Sequence, residues 1–365
     1  MKTLLLGDVS PTAATNPLFA EKNVEALFSD VVTLFPGNDV NFVNLECALT
    51  ESDKSIEKFG PPLKADYNTA DTLQSIGVNC CGLSNNHIFD YGIQGARDTM
   101  KRLDEIGMLY TGFGENYEDS RKDLVFDVDG EKLAIITVCE HEYSYALEDR
   151  MGSRPYDEYD TMEDIRKAKE TADRVVVIYH GGKEHCRYPS PRLRKACRAM
   201  VKNGADVVLC QHSHCIGCYE FYEDSHILYG QGNFHFVKAS FVDAELAKTW
   251  NSSLAVKYDT TTNAIEFIPV VNTDCGITLA KGAEKDEILK AFAERNKELQ
   301  DGRWRQGWHA FCEKVKGTYV ASVGKAYTEN STETQNKLFG HYLDCEAHTD
   351  VWRELFPTAN QTNEK

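Results

Sequence analysis

No stretch of the 365-residue sequence approaches the ~18 uninterrupted apolar residues that a membrane-spanning helix requires. The start, Met1-Lys2-Thr3-Leu4-Leu5-Leu6-Gly7-Asp8, has a short leucine run before an aspartate, against the ~7–15 apolar residues of a secretory leader. Positive charge is also scarce: 40 Lys and Arg stand against 57 Asp and Glu, a net charge of −17. Non-specific binding to nucleic acid or to an anionic membrane is therefore not expected. Cys215-Ile-Gly-Cys218 has no second Cys-x-x-Cys to complete a structural zinc site. Internal repeats and low-complexity linkers are absent too. Together these absences predict a cytoplasmic chain whose twelve cysteines stay reduced. An anionic substrate on so acidic a chain requires a local cation, and a bound metal is the simplest one.

What is present is an ordinary globular composition, 42% apolar and 27% charged. Over roughly the first 275 residues, short β-branched runs alternate with helix-period segments. Strands are expected at 3–6, 40–43, 78–82, 132–138, 174–179, 206–210, 227–229, 253–258 and 265–271. The clearest helices between them are 69–76, 93–106, 162–171 and 191–203. This alternation predicts a layered α/β fold around a sheet, closing in antiparallel hairpins. The remainder changes character. Residues 284–299 are helical in pattern, and Trp304, Trp308, Phe311, Cys312 and Val315 share one helix face that packs on the core. The polar end, 358–365, is expected to fray.

Ligand-type residues follow directly after successive apolar strands. Leu4-Leu5-Leu6 leads to Gly7-Asp8, and Val40-Asn41-Phe42-Val43 to Asn44-Leu45-Glu46. Cys80-Cys81-Gly82-Leu83-Ser84 leads to Asn85-Asn86-His87, and Val175–Tyr179 to His180-Gly181-Gly182. Asp206–Cys210 leads to Gln211-His212-Ser213-His214, and His226–Tyr229 to Gly230-Gln231-Gly232-Asn233. Ligands of α/β sheets bind outside the carboxyl ends of strands, so these segments should converge. Two carboxylates, an amide and several imidazoles are mixed N/O donors that suit Zn, Mn or Fe. In His212-x-His214 the i, i+2 spacing can aim both rings at one metal cluster.

This order of motifs resembles the CapA/PgsA group of bacterial capsule (poly-γ-glutamate) synthesis proteins, which share the calcineurin-like metallophosphatase fold. The resemblance spans about residues 3–275 and includes Phe89-Asp90-Tyr91-Gly92, His180-Gly181-Gly182-Lys183-Glu184 and Tyr188-Pro189-Ser190-Pro191. It implies a calcineurin-like metallophosphoesterase layered sandwich over residues 1–278, a sheet core flanked by helices, with a helical C-terminal extension over 279–365. It also implies a site of one or two divalent ions (Mn, Zn, Fe or Mg). Glu46, Asn86, His180 and His212 would hold one ion, and Asp8, Glu46 and His214 the other. Ser10 stands where the family's fold carries a histidine ligand, leaving the second set one ligand short.

The activity implied is phosphoester hydrolysis by a metal-bound hydroxide in capsule, cell-envelope or poly-γ-glutamate metabolism. Glu46 and His87 would be catalytic, with His87 the proton donor. Asn85, Lys183, Glu184, Arg187 and Asn233 would contact an anionic small-molecule or polymer substrate or orient the site. Two alternatives stand beside it. One is a non-catalytic metal-binding protein that assists polymer assembly; the other is hydrolysis of γ-glutamyl amide bonds.

Overall fold

The computed structural model describes residues 1–356 except 142, 239, 240 and 242. The segment expected to fray, 358–365, lies outside the described residues. The main strands, in chain order, are Lys2–Val9 (β1), Val40–Leu45 (β2), Cys80–Gly82 (β3), Leu109–Thr111 (β4), Leu124–Val128 (β5), Glu131–Cys139 (β6) and Arg174–His180 (β7). They continue with Val207–Gln211 (β8), Tyr219–Tyr222 (β9), Ser225–Leu228 (β10), Asn233–His235 (β11), Ser252–Asp259 (β12), Ala264–Asn272 (β13) and Ile277–Leu279 (β14).

These strands form two sheets, which corrects the expectation of one. The first has the order β14-β13-β12-β1-β2-β3-β4, with β11 also paired to β1. The second runs β9-β10-β8-β7-β6-β5. The centre of each sheet is parallel, from β1 to β4 and from β6 through β7 and β8 to β10. The β12-β13-β14 run is an antiparallel meander, as the closely spaced last strands suggested.

The reason for two sheets is visible in β1. Leu4, Leu5 and Leu6 are all fully buried, but to opposite sides. Leu5 joins Phe42, Ile135, Val176, Ile178 and Leu209 in the core between the sheets. Leu4 and Leu6 join Val43, Leu73 and Leu103 on the outer side of the first sheet, under the helices Asn68–Ser75 (α1) and Gly92–Ile106 (α2). Ile136, Val177 and Tyr179 do the same for the second sheet, under Asp160–Thr171 (α3) and Pro191–Lys202 (α4). A strand buried on both faces reads as a continuous apolar run, and each such leucine contributes about 1.5–3 kcal/mol.

After β14 the chain turns helical: Gly282–Asp301 (α5), Trp304–Lys325 (α6), Glu333–Asp344 (α7) and Glu346–Leu355 (α8). The expected stripe is present. Trp304 enters the outer core of the second sheet, while Trp308 and Cys312 form a separate cluster with Tyr319, Tyr342, Val351 and Cys186. Cys186 lies in the segment between β7 and α4, so α6 and α8 pack directly on that segment. Arg192 of α4 bridges Glu140, just past β6, to Asp350 of α8. Eleven of the twelve cysteines are buried, and Cys275 is partly exposed. Among the described residues no helix is long and apolar enough to cross a membrane.

Candidate metal centre

Strand register assembles the site. In the first sheet Asp8 pairs with Asn44 on one side and with Asn233 on the other. In the second, His180 pairs with Gln211, the residue before His212. The carboxyl ends of both parallel centres therefore present their side chains to one crevice. Gly7 is required for this closeness: a Cβ there would lie 2.1 Å from the carbonyl oxygen of Gly232.

Asp8, Asn44, Glu46, Asn86, His180, His212 and His214 are all buried. Asn44 Nδ2 donates to Asp8 Oδ1 at 2.7 Å and lies 3.1 Å from His180 Nδ1. His180 Nε2 is 2.9 Å from Asn86 Oδ1 and 3.4 Å from Glu46 Oε1. The other oxygen of Asp8 accepts from the His212 main-chain N–H at 3.1 Å and lies 3.7 Å from His214 Nδ1. Asn233 Oδ1 is 2.7 Å from His214 Nδ1, which fixes that ring and leaves Nε2 turned toward Glu184, 3.9 Å away. Ligand atoms of Glu46, His212 and His214 all lie within 4.8 Å of one another.

The donor chemistry fits a divalent cation. Both carboxylate oxygens of Glu46 and Nδ1 of His212 are buried with no hydrogen-bond partner among the described residues. A buried, uncompensated carboxylate is costly, and such orphans call for an occupant. Burial, followed by the neighbouring Glu46, pushes Asp8 up to about 7. Burial likewise holds Glu46 well above its ordinary range, and brings His180 down to about 4 and His214 to about 3. Neutral imidazoles are the ligand form, and a cation relieves the repulsion between the carboxylates. His185, His212 and His214 adopt left-handed backbone angles, with φ of 63°, 76° and 53°. Each such residue costs about 1–3 kcal/mol and persists where surrounding contacts over-determine it.

His87 stands at the rim. Its Nδ1 is 2.6 Å from Asp90 Oδ2, and Lys58 Nζ is 2.5 Å from Asp90 Oδ1. Asp90 also accepts from the main chain of Leu63 at 2.7 Å. The ring is thus aimed by a fixed, buried carboxylate, with Nε2 left over.

The expected substrate residues divide. Lys183 and Glu184 are with the cluster, 4.0 Å apart, and both act electrostatically on His212. Asn233 orients His214. Asn85 has its side chain engaged within the protein: its amide donates to Asn44 Oδ1 and to the Leu45 carbonyl, and its oxygen accepts from the main chains of His87 and Ile88. It is a strut for the loop that carries Asn86 and His87. Arg187 is in a different cleft, with Arg295 and Glu284. Ser10 is fully buried, with its hydroxyl toward Cys47.

Sequence reasoning left several participants unassigned. Lys58 comes from a segment without helix or strand, and no periodicity marks it. Asp90, three residues after His87, belongs to the Phe89-Asp90-Tyr91-Gly92 motif, which by itself assigns it no role. Trp250, whose ring centroid is 4.4 Å from that of His214, ends a short helix and carries no local signal. From the C-terminal helices, His341 and His348 place their Nε2 atoms 3.0 Å apart, within electrostatic reach of Lys183 and Glu184.

Residues 2–238 match the family model described as "Bacterial capsule synthesis protein PGA_cap". The chain is 29% identical over 276 residues to "Capsule biosynthesis protein CapA" of Bacillus anthracis, a match covering 73% of this chain and 66% of that one. It is 27% identical over 292 residues to "PGA biosynthesis protein CapA" of Bacillus subtilis (strain 168), covering 78% and 74%. The chain thus spans about two thirds to three quarters of these relatives. Among solved structures, a hypothetical protein from Thermus thermophilus aligns with a TM-score of 0.46 at 16% identity, over 77% of this chain and 100% of that one.

Proposed function

Since the chain belongs to the PGA_cap family of bacterial capsule synthesis proteins, we propose that it is a metal-dependent hydrolase of phosphoester bonds in capsule or poly-γ-glutamate metabolism, built as a metallophosphoesterase-type layered sandwich. One observation carries this reading. Carboxylates, an amide and three imidazoles from two sheets meet in a buried crevice, where neither oxygen of Glu46 has a hydrogen-bond partner among the described residues.

Glu46, Asn86, His180 and His212 would hold one ion, and Asp8, Glu46 and His214 a second. Bound there, divalent ions neutralise phosphate oxygens and lower the pKa of water. The chain's own groups do the rest. Asn44 and Asn233 fix Asp8 and His214, so the donors are ordered before anything binds. Asp90 locks His87 through Nδ1, and the remaining nitrogen holds or delivers a proton at the leaving oxygen. Lys183 lies 11% exposed beside Glu184 and attracts an anionic substrate to an otherwise acidic crevice.

A non-catalytic role in polymer assembly is the second reading, and Ser10 in place of a histidine ligand favours it. Metal analysis of gently purified protein, beside the His180→Ala/His212→Ala variant, separates the two when followed by a phosphoester screen in Mn, Zn, Fe and Mg. The expected result is one or two equivalents of metal, absent from the variant, with turnover in at least one metal. Metal without turnover on any mono- or diester would leave the assembly reading. No metal uptake at all would end the hydrolase reading.

A further inference from the structure

Lys238 is exposed, and its Nζ lies 3.4 Å from the centroid of the Trp250 ring and 5.6 Å from that of Phe236. Among the described residues no carboxylate lies within ion-pair distance of it, although the charges of Glu184 and Glu46 reach it. Trp250 is 2% exposed and cannot turn away: its Nε1 donates to the Phe236 carbonyl at 2.6 Å. The same indole is 4.4 Å from the His214 ring and 5.9 Å from the His185 ring, centroid to centroid. A surface lysine is ordinarily a mobile, solvated charge. This one rests on a fixed aromatic face that abuts a candidate metal ligand, in a chain of net charge −17.

We propose that Lys238 on its Trp250 platform is an anion-binding site beside the metal centre, taking the oxygens of a phosphate group that the ions do not hold. This deepens the hydrolase reading and rests on it for the identity of the anion. Attraction to the indole face orders the ammonium without using its outward N–H donors. Those donors remain for an oxyanion arriving at the cluster. Lys183 lies 4.0 Å from Glu184, so an anion entering the crevice meets a second ammonium there. The arrangement also opposes the acidic field that would otherwise repel such a substrate.

The indole is a built-in reporter. Inorganic phosphate is titrated into the full chain, with manganese and without, while tryptophan emission is followed. A saturable change is expected, abolished in Trp250→Phe, which removes the reporter. In Lys238→Met the phosphate dissociation constant should rise at least ~10-fold, and Lys238→Arg should retain most of the affinity. Unfolding midpoints of the variants are measured alongside to exclude a folding defect. Equal phosphate affinity in Lys238→Met and the parent overturns the proposal. So does the absence of any phosphate response in the parent in both metal states. Failure of the hydrolase reading would look different: phosphate binding that depends on Lys238, with no metal uptake or no turnover.

Discussion

His180 Nε2 lies 3.4 Å from Glu46 Oε1, although the two residues arrive from different sheets. Glu46 follows β2 of the first sheet, and His180 ends β7 of the second. An ion shared by these groups would cross-link the two halves of the core. At about 100 times the dissociation constant, binding to the folded state adds about 2.7 kcal/mol. Manganese or zinc should therefore raise the thermal midpoint by roughly 3–4 °C, and a chelator should reverse it. The His180→Ala/His212→Ala variant should show no shift. A parent protein whose melting ignores both metals would contradict the cluster's proposed role.

Replacing His87 by alanine should leave metal content and circular dichroism unchanged while lowering turnover by more than ~100-fold. Asp90→Asn should fall between that variant and the parent, because it loosens the ring without removing it. Steady-state rates on whichever phosphoester the parent cleaves decide this. Equal rates in parent and His87→Ala would remove the imidazole from the chemistry.

Arg192 joins Glu140 of the core to Asp350 of α8, its Nε 2.9 Å from Asp350 Oδ2. Arg192→Leu strands two buried carboxylates and should cost about 3–5 kcal/mol, read from urea midpoints. Adding Asp350→Leu should restore part of the loss, because it removes one of the stranded charges. A double variant no more stable than the single one would show that the bridge is not the cause.

Glu346 opens α8 and is held at about 7, by burial first and then by Glu140. The His141 main chain donates to it at 2.6 Å, and Arg192 opposes the shift. Cys345 lies beside it, while His141 itself pairs with Asp344. The folded state thus binds this proton more tightly than the unfolded chain, whose glutamate titrates near its ordinary 4.5. The contribution of Glu346 to stability is then full at low pH and declines as pH rises from about 4.5 through about 7. Hydrogen exchange of residues 346–355, corrected for intrinsic rates, should be faster at pH 8 than at pH 5. Glu346→Gln should flatten that dependence, and an unchanged slope in the variant would assign it to another group.

Much of the site could be read from the chain because its strands are buried on both faces. Leu4–Leu6 and Val175–Tyr179 are unbroken apolar runs, so Asp8 and His180 stand out where those runs stop. Three kinds of information were hidden. Backbone proximity was one: Asn233 reaches Asp8 through the parallel pairing of β11 with β1, which the facing main chains of Gly7 and Gly232 permit. Side chains from irregular segments were another, as with Lys58. The third was polar capacity already in use. Asn85 has the residue type and position of a contact group, yet its side-chain hydrogen bonds go to its own loop and to the end of β2. Likewise Arg187, close in sequence to Lys183, turns to another cleft.

The distribution of thiols has a practical consequence. In the native protein a thiol reagent meets one partly accessible sulfur, at Cys275. Every further label records an opening event, and the residue labelled says which layer opened. Cys80 reports the space between the sheets, Cys197 and Cys210 the outer layer of the second sheet, and Cys312 the helical cap. The order in which these sulfurs react is a map of where the molecule breathes, drawn without introducing a single probe.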